Sequence, residues 1–249
     1  YMLVIGVVLP FASLLMKWFS ARKLTLFALG AFFVGAVASA VAPSFPVALA
    51  GRAVQGIGTG LVLPIMFAMV LEVIPPHKIG AAMGTNALVI MFAPAIGPTL
   101  AGALIGAGSW RLVFASFAVI ALVGIIFAWR FEVNPYKLTR PSIDAPSVVL
   151  SVVGFGGIVL GAGMASSCGW ASPIVLGGLV AGLVCLALYV RRQLSMEVPV
   201  IDMRIFSHQG FRVGAVCMMV NFGITLSAMY ILPQFYQNGM LLAVAVTGV

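Results

Sequence analysis

The chain has 249 residues, 63% of them hydrophobic and only 7% charged, and its mean hydropathy is +1.20. Soluble domains carry about 25% charged residues, so this composition excludes a soluble globular protein; with about 20 apolar residues per crossing, the length accommodates about eight membrane helices and no large soluble domain. The net charge of +8 is spread over alternate loops rather than gathered in one patch, which excludes nucleic acid as its partner.

Long uncharged runs bounded by charges or turn residues predict segments over 1–16, 24–42, 46–71, 81–107, 112–129, 146–167, 172–190 and 213–236. The first is short for a crossing and the other seven are long enough. The chain starts at Tyr1 with no basic leader before its apolar run, and 239–249 is a further apolar run cut off where a span would begin. It is therefore expected to be a piece of a longer polytopic protein, with at least one helix missing on each side.

Basic residues mark the cytoplasmic side. One set of alternate loops carries Lys17, Arg22, Lys23, Lys78, Arg130, Lys137, Arg140, Arg191, Arg192, Arg204 and Arg212, whereas the opposite set carries Arg111 alone. Both chain ends are thereby assigned to the outside. The piece 197–212, "EVPVIDMRIFSHQGFR", mixes apolar residues with charges and reads as a segment lying along the headgroups.

Chemistry-bearing residues are sparse. Cys168, Cys185 and Cys217 have no metal-ligand spacing, His77 and His208 lie in loops, and the acids Glu72, Glu132, Asp144, Glu197 and Asp202 all lie in or beside cytoplasmic loops. With no acid or histidine inside a span, a membrane-embedded enzyme lacks its base, nucleophile or metal set, so neither an enzyme nor a metal or organic cofactor is expected.

Arg52 is the exception to the apolar spans. It stands alone between Lys23 and Glu72 in "LAGRAVQGIGTG", residues 49–60, and an arginine at the centre of a helix costs about 2.5–3.5 kcal/mol on insertion scales. Either it snorkels to the outer surface or it meets an acid on a missing helix. Arg52, Gly56 and Gly60 repeat at every fourth residue, flanked by Gln55 and Thr59, and such a stripe of small residues lets another helix approach closely. Gln55, Thr59, Asn86, Asn221 and Gln234 are the candidates to line a cavity with hydrogen bonds. In the next span Pro94, Pro98, Gly102 and Gly106 form another four-residue stripe, whose prolines remove backbone donors and bend the helix.

Three motifs carry a resemblance to the major facilitator superfamily, specifically to its fourteen-helix drug:proton antiporters of the lincomycin-resistance type. "LAGRAVQGIGTGLVLP" at 49–64 resembles the fourth-helix motif, "APAIGPTLAG" at 93–102 resembles the fifth-helix antiporter motif, and "LMKWFSARKLTL" at 15–26 occupies the place of the loop between helices two and three. That loop lacks the aspartate usual before its basic residues Lys17, Arg22 and Lys23. The resemblance covers essentially the whole chain as helices two to nine, and it implies an all-α integral membrane bundle truncated at both ends. It implies residues 1–129 as part of the amino-terminal bundle, 130–145 as a cytoplasmic linker, 146–190 as an extra central helix pair, 191–212 as the interfacial segment and 213–249 as the start of the carboxy-terminal bundle.

The same resemblance implies a monomeric, multi-pass protein of the cytoplasmic membrane that exports small amphipathic drugs against protons by alternating access. Arg52 would tune the acid on a missing helix, and Pro94, Gly97, Pro98 and Gly102 would govern closure between the two bundles. Other exported classes, such as a metabolite, a lipid or a siderophore, remain open, as does a membrane scaffold that transports nothing.

Overall fold

The computed structural model describes residues 1–106, 108–135, 138, 144–196, 199 and 201–240. Among them are eight α-helices: α1 (Met2–Trp18), α2 (Ala21–Ala40), α3 (Phe45–Val73), α4 (Ile79–Gly106), α5 (Arg111–Phe131), α6 (Ala145–Cys168), α7 (Pro173–Ser195) and α8 (Gln209–Gln234). Seven helical spans are long and apolar enough to cross a membrane, and α1 is shorter. Each helix covers one predicted segment. Their ends follow local chemistry: Pro46, Pro146 and Pro173 sit in first turns, where the missing N–H costs nothing, and Gly169 at φ 82° closes α6 in the left-handed region that glycine enters freely.

The charged ends extend further into the helices than the apolar runs implied. α7 continues through Arg191 and Arg192 to Ser195, and α5 through Arg130 to Phe131, because cations in a last turn complement the helix dipole and snorkel from the membrane edge. Of the predicted interfacial piece 197–212, the described residues include a 3-10 turn over Met203–Ser207, and α8 already takes in residues 209–212. Glu197, Val198 and Val200 lie outside the described residues, as do Lys137 and Arg140 of the linker and 241–249 of the last apolar run.

The chain divides into two compact units, one formed by Tyr1–Pro76 and Phe114–Met203 and the other by His77–Val113 and Arg204–Val249. In the first unit α3 lies between α1 and α2 and uses a different small-residue face for each. Toward α2 it turns Gly51, Gln55 and Gly58; a Cβ on Gly58 would fall under 3.0 Å from the Ala28 carbonyl oxygen and the Phe32 backbone nitrogen. Toward α1 it turns Gly56 and Gly60, where Cβ atoms would meet Val4 and Val8. Ala12, Leu24, Ala28, Leu61 and Ile65 form the buried apolar cluster shared by the three helices.

The antiparallel pair α6 and α7 packs by the same means. Gly157 lies against Gly178 and Gly182, and Gly182 against the backbone of Ile158 and Gly154. Of the two, α6 sits on α1, where Gly6 faces Val159 and Gly156 faces Val7. In membranes helix association relies on van der Waals contact and interhelical hydrogen bonds rather than on a hydrophobic drive. Backbone-to-backbone approach along these glycines maximises the first.

Polar bonds at one end of this unit fix the connections. Asn134 Oδ1 accepts from the Ala21 N–H at 2.8 Å, capping α2 from the far end of α5, and the Thr25 hydroxyl donates to Glu132 at 2.7 Å. Arg22 donates to the Trp129 carbonyl. Asp144 caps α6 through the Ser147 N–H at 3.2 Å and receives both Arg192 Nε and Nη2 at 2.7 Å. Buried Gln193 donates to Ser147 Oγ at 2.7 Å and accepts from the Ile201 N–H at 3.3 Å. The turn before α2, the exit of α5, the entry of α6 and the exit of α7 are thus cross-tied in the pairs that the distribution of basic residues assigns to one side.

The two carboxylates respond oppositely to this setting. The Arg192 and Ser147 hydrogen bonds hold Asp144 well below the usual carboxylate range, so its contribution to stability is complete above the ordinary value of about 3.9 and is lost only as pH falls through the depressed folded value. Burial raises Glu132, against the opposing effects of the Thr25 hydrogen bond and Arg22. Its contribution is therefore complete below about 4.3 and is lost as pH rises through the raised folded value. At neutral pH, Asp144→Asn is expected to lower the thermal midpoint of the purified protein by several degrees, while Glu132→Gln leaves it unchanged or raises it; scanning fluorimetry of both variants checks the contrast.

In the second unit, α4 runs unbroken through Pro94 and Pro98, and the most apolar windows of α4 and α8 contain no buried residue. A Cβ on Gly97 or Gly106 would meet no atom within 4 Å. α8 ends in a one-turn π-helix over Phe235–Gly239.

Candidate functional site

The site is built on α3 around Arg52, two turns after Pro46 starts the helix. Among the described residues its guanidinium engages no carboxylate, unlike Arg192, which pairs with Asp144. Instead Arg52 Nη1 donates to Gln55 Oε1 at 2.7 Å, and the guanidinium carbon lies 3.9 Å from the ring centre of Tyr1 and 5.6 Å from that of Phe114. The Tyr1 and Thr59 hydroxyls are hydrogen-bonded at 2.9 Å, and Thr59 donates to the Gln55 carbonyl at 3.1 Å. Three elements therefore converge: α3 supplies the cation, its amide partner and a threonine, the start of α1 supplies a phenol, and α5 supplies a second ring.

Within the chain Arg52 is met by π faces and an amide, which suit a planar guanidinium. Phe114 is itself placed edge-on to Phe117, at 6.3 Å between ring centres, and Phe117 lies 6.3 Å from Phe32 of α2. Gln55 is fully buried between α2 and α3, where its methylene lies beside Gly35 and its Nε2 finds no partner among the described residues. It is thus a packed interface residue that reaches the site with one oxygen.

The other residues singled out in the sequence fall in several places. Gly56 and Gly60 pack against α1. Lys17 closes α1 and Lys23 stands in the first turn of α2 beside Arg22. Asn86 in α4 has a buried Nδ2 with no partner among the described residues. Asn221 receives the Thr225 hydroxyl on its backbone carbonyl at 2.9 Å and on its side-chain oxygen at 3.4 Å, and Gln234 accepts from Asn238 at 2.8 Å, so each side-chain oxygen has a partner within α8 and its π turn. Pro94, Gly97, Pro98 and Gly102 follow one another along α4. Asn86, these four, Asn221 and Gln234 belong to the second unit and the Arg52 cluster to the first.

Sequence reasoning missed Tyr1 and Phe114, which no spacing links to Arg52. It also missed the second glycine face of α3, although the placement of Gly51, Gln55 and Gly58 at helical spacing was there to be read.

The model of the Major Facilitator Superfamily matches residues 1–249. The chain belongs to that superfamily. It is 41% identical over its whole length to the lincomycin resistance protein LmrB of Bacillus subtilis (strain 168), covering 52% of that protein. To the LmrB of Listeria monocytogenes it is 38% identical, with 98% of the chain matched to 52% of the relative. A multidrug resistance protein B homolog of Mycobacterium tuberculosis is 28% identical over 96% of the chain and 44% of its own length. The chain thus spans about half the length of these relatives. As a member of this superfamily with seven membrane-length helical spans among its described residues, it is a multi-pass integral membrane protein.

Proposed function

We propose that the protein of which this chain forms part exports small amphipathic, drug-like compounds across the cytoplasmic membrane in exchange for protons, by alternating access, as a monomer and without a cofactor or a covalent catalytic step. The observation that carries the reading is a guanidinium inside a membrane-length helix that no carboxylate neutralises among the described residues, in a chain 41% identical to a lincomycin resistance protein. An acid on a further helix would complete the pair. A neighbouring guanidinium lowers a carboxylate's pKa and burial raises it, so moving the two apart and together loads and releases a proton.

In this reading residues 1–129 contribute helices two to six of the amino-terminal bundle, 146–190 the extra helix pair and 213–249 the start of the second bundle, with 130–145 and 191–212 between them. The stripe Pro94, Gly97, Pro98 and Gly102 seals one bundle against the other; the open space around Gly97 on α4 supports that assignment. Thr59 offers a hydroxyl, and Asn86, Asn221 and Gln234 offer amides, to the transported compound, whereas Gln55, buried between α2 and α3, orients Arg52; Lys17, Arg22 and Lys23 hold the cytoplasmic loop.

Everted vesicles containing the intact protein provide the test. Ethidium uptake into them should follow an imposed pH gradient, inside acid, and should stop when a protonophore collapses it. Uptake that continues at the same rate after collapse excludes proton exchange, and the absence of any uptake of ethidium or lincomycin excludes drug export.

A further inference from the structure

We infer that the α6–α7 pair is keyed onto α1 in a single register and stays seated there throughout transport, as part of the amino-terminal body rather than as an element that moves by itself. The inference rests on the alternating access proposed above and names the body to which the extra helix pair belongs.

The seam between α1 and α6 is reciprocal. A Cβ on Gly6 would lie 3.4 Å from Val159 Cγ2, and a Cβ on Gly156 would lie 3.6 Å from Val7 Cγ2. Each helix thus offers a glycine notch to a valine of the other, and the two contacts run in opposite senses along the chain, as in an antiparallel pair. Residues four apart share a helix face, so a slide of one turn would set Val159 against Pro10 and Val7 against Leu160 in one direction, and against Met2 and Val152 in the other. None of these four leaves a notch. Helix association in a membrane depends on close van der Waals contact, so the present register is the one in which both valines find space.

The helices on either side of the seam are tightly built. α6 and α7 approach backbone to backbone: a Cβ on Gly182 would come within 2.8 Å of the Ile158 nitrogen and 2.9 Å of the Gly154 carbonyl oxygen. At the cytoplasmic end Arg192 holds Asp144 through two bonds of 2.7 Å, and buried Gln193 joins Ser147 at 2.7 Å to the Ile201 N–H at 3.3 Å. On the other side α1 lies against α3, where a Cβ on Gly56 would be 2.9 Å from Val4 Cβ and one on Gly60 3.0 Å from Val8 Cβ. The same two turns of α1 therefore meet α3 through Val4 and Val8 and α6 through Gly6 and Val7. Close-packed interfaces shift between discrete arrangements rather than deforming continuously. A shear along α1 and α6 has to give up both notches at once, and no second pair of notches lies one turn away.

The experiment uses the intact protein with every native cysteine replaced by serine and joins Val7→Cys to Gly156→Cys in everted vesicles, with copper phenanthroline or a short bis-methanethiosulfonate. The crosslink is expected to form equally with and without ethidium, and the crosslinked protein to take up ethidium as fast as the same vesicles after reduction. Loss of uptake on crosslinking that returns on reduction overturns the inference and leaves the proposed function intact; a pair that accumulates but does not crosslink overturns it as well. Where the uncrosslinked parent moves no ethidium, the proposed function falls, and equal crosslinking in the two conditions still upholds the seam while unequal crosslinking overturns it. Should this pair fail to accumulate in the membrane, Gly6→Cys with Val159→Cys crosses the same seam and is read in the same way.

Discussion

Replacing Arg52 by alanine in the intact protein is expected to bring proton-linked drug efflux to background while leaving membrane insertion unimpaired. Loss of a neighbouring guanidinium raises a buried carboxylate's pKa by about 1–3 units, so the acid stays protonated through neutral pH and no longer releases its proton. Insertion does not suffer, because removing the charge relieves α3 of about 2.5–3.5 kcal/mol on insertion scales. Arg52→Lys keeps the charge but loses the planar fork that matches Gln55 and the rings, and an intermediate rate is expected. Everted-vesicle efflux, normalised to the amount of protein in the membrane, reads both variants.

The second large effect is structural. Gly58 of α3 meets the backbone of α2 so closely that any side chain would collide with the Ala28 carbonyl, and that atom has no flexible end to yield. Gly58→Leu is expected to destabilise the unit by about 3 kcal/mol or more, the upper end of overpacking costs, with most of the protein lost from the membrane. Gly30 of α2 is the control. A Cβ there meets nothing within 4 Å, and leucine has the better helix propensity by up to about 1 kcal/mol, so Gly30→Leu is expected to accumulate and melt as the parent does. Fluorescence-detected size exclusion after a temperature ramp separates the two; equal midpoints would contradict the assignment of the α2–α3 interface.

The helices were legible because membrane spans are dictated by backbone satisfaction and hydropathy, both of which are local properties of the chain. What misled at the edges was reading Arg191 and Arg192 as the end of a helix, when a last-turn cation is compatible with the helix dipole. The importance of Arg52 was legible from the cost of its charge, and Gly56 and Gly60 from their spacing. Its cradle was not, because Tyr1 and Phe114 reach it from other helices by way of packing that no periodicity in α3 encodes. Gln55 was legible as polar and near Arg52, but its burial against Gly35 follows from the second glycine face. Asp144, followed by a proline and Ser147, carried a readable capping signal; the bidentate partner 48 positions away did not.

Drug-induced proton release from the purified intact protein, followed with a pH indicator in weakly buffered detergent solution, tests the central role of Arg52 most directly. The wild-type protein is expected to release protons when ethidium is added at neutral pH, and Arg52→Ala to release none while still binding the dye. Proton release from Arg52→Ala equal to that of the wild type would contradict the account.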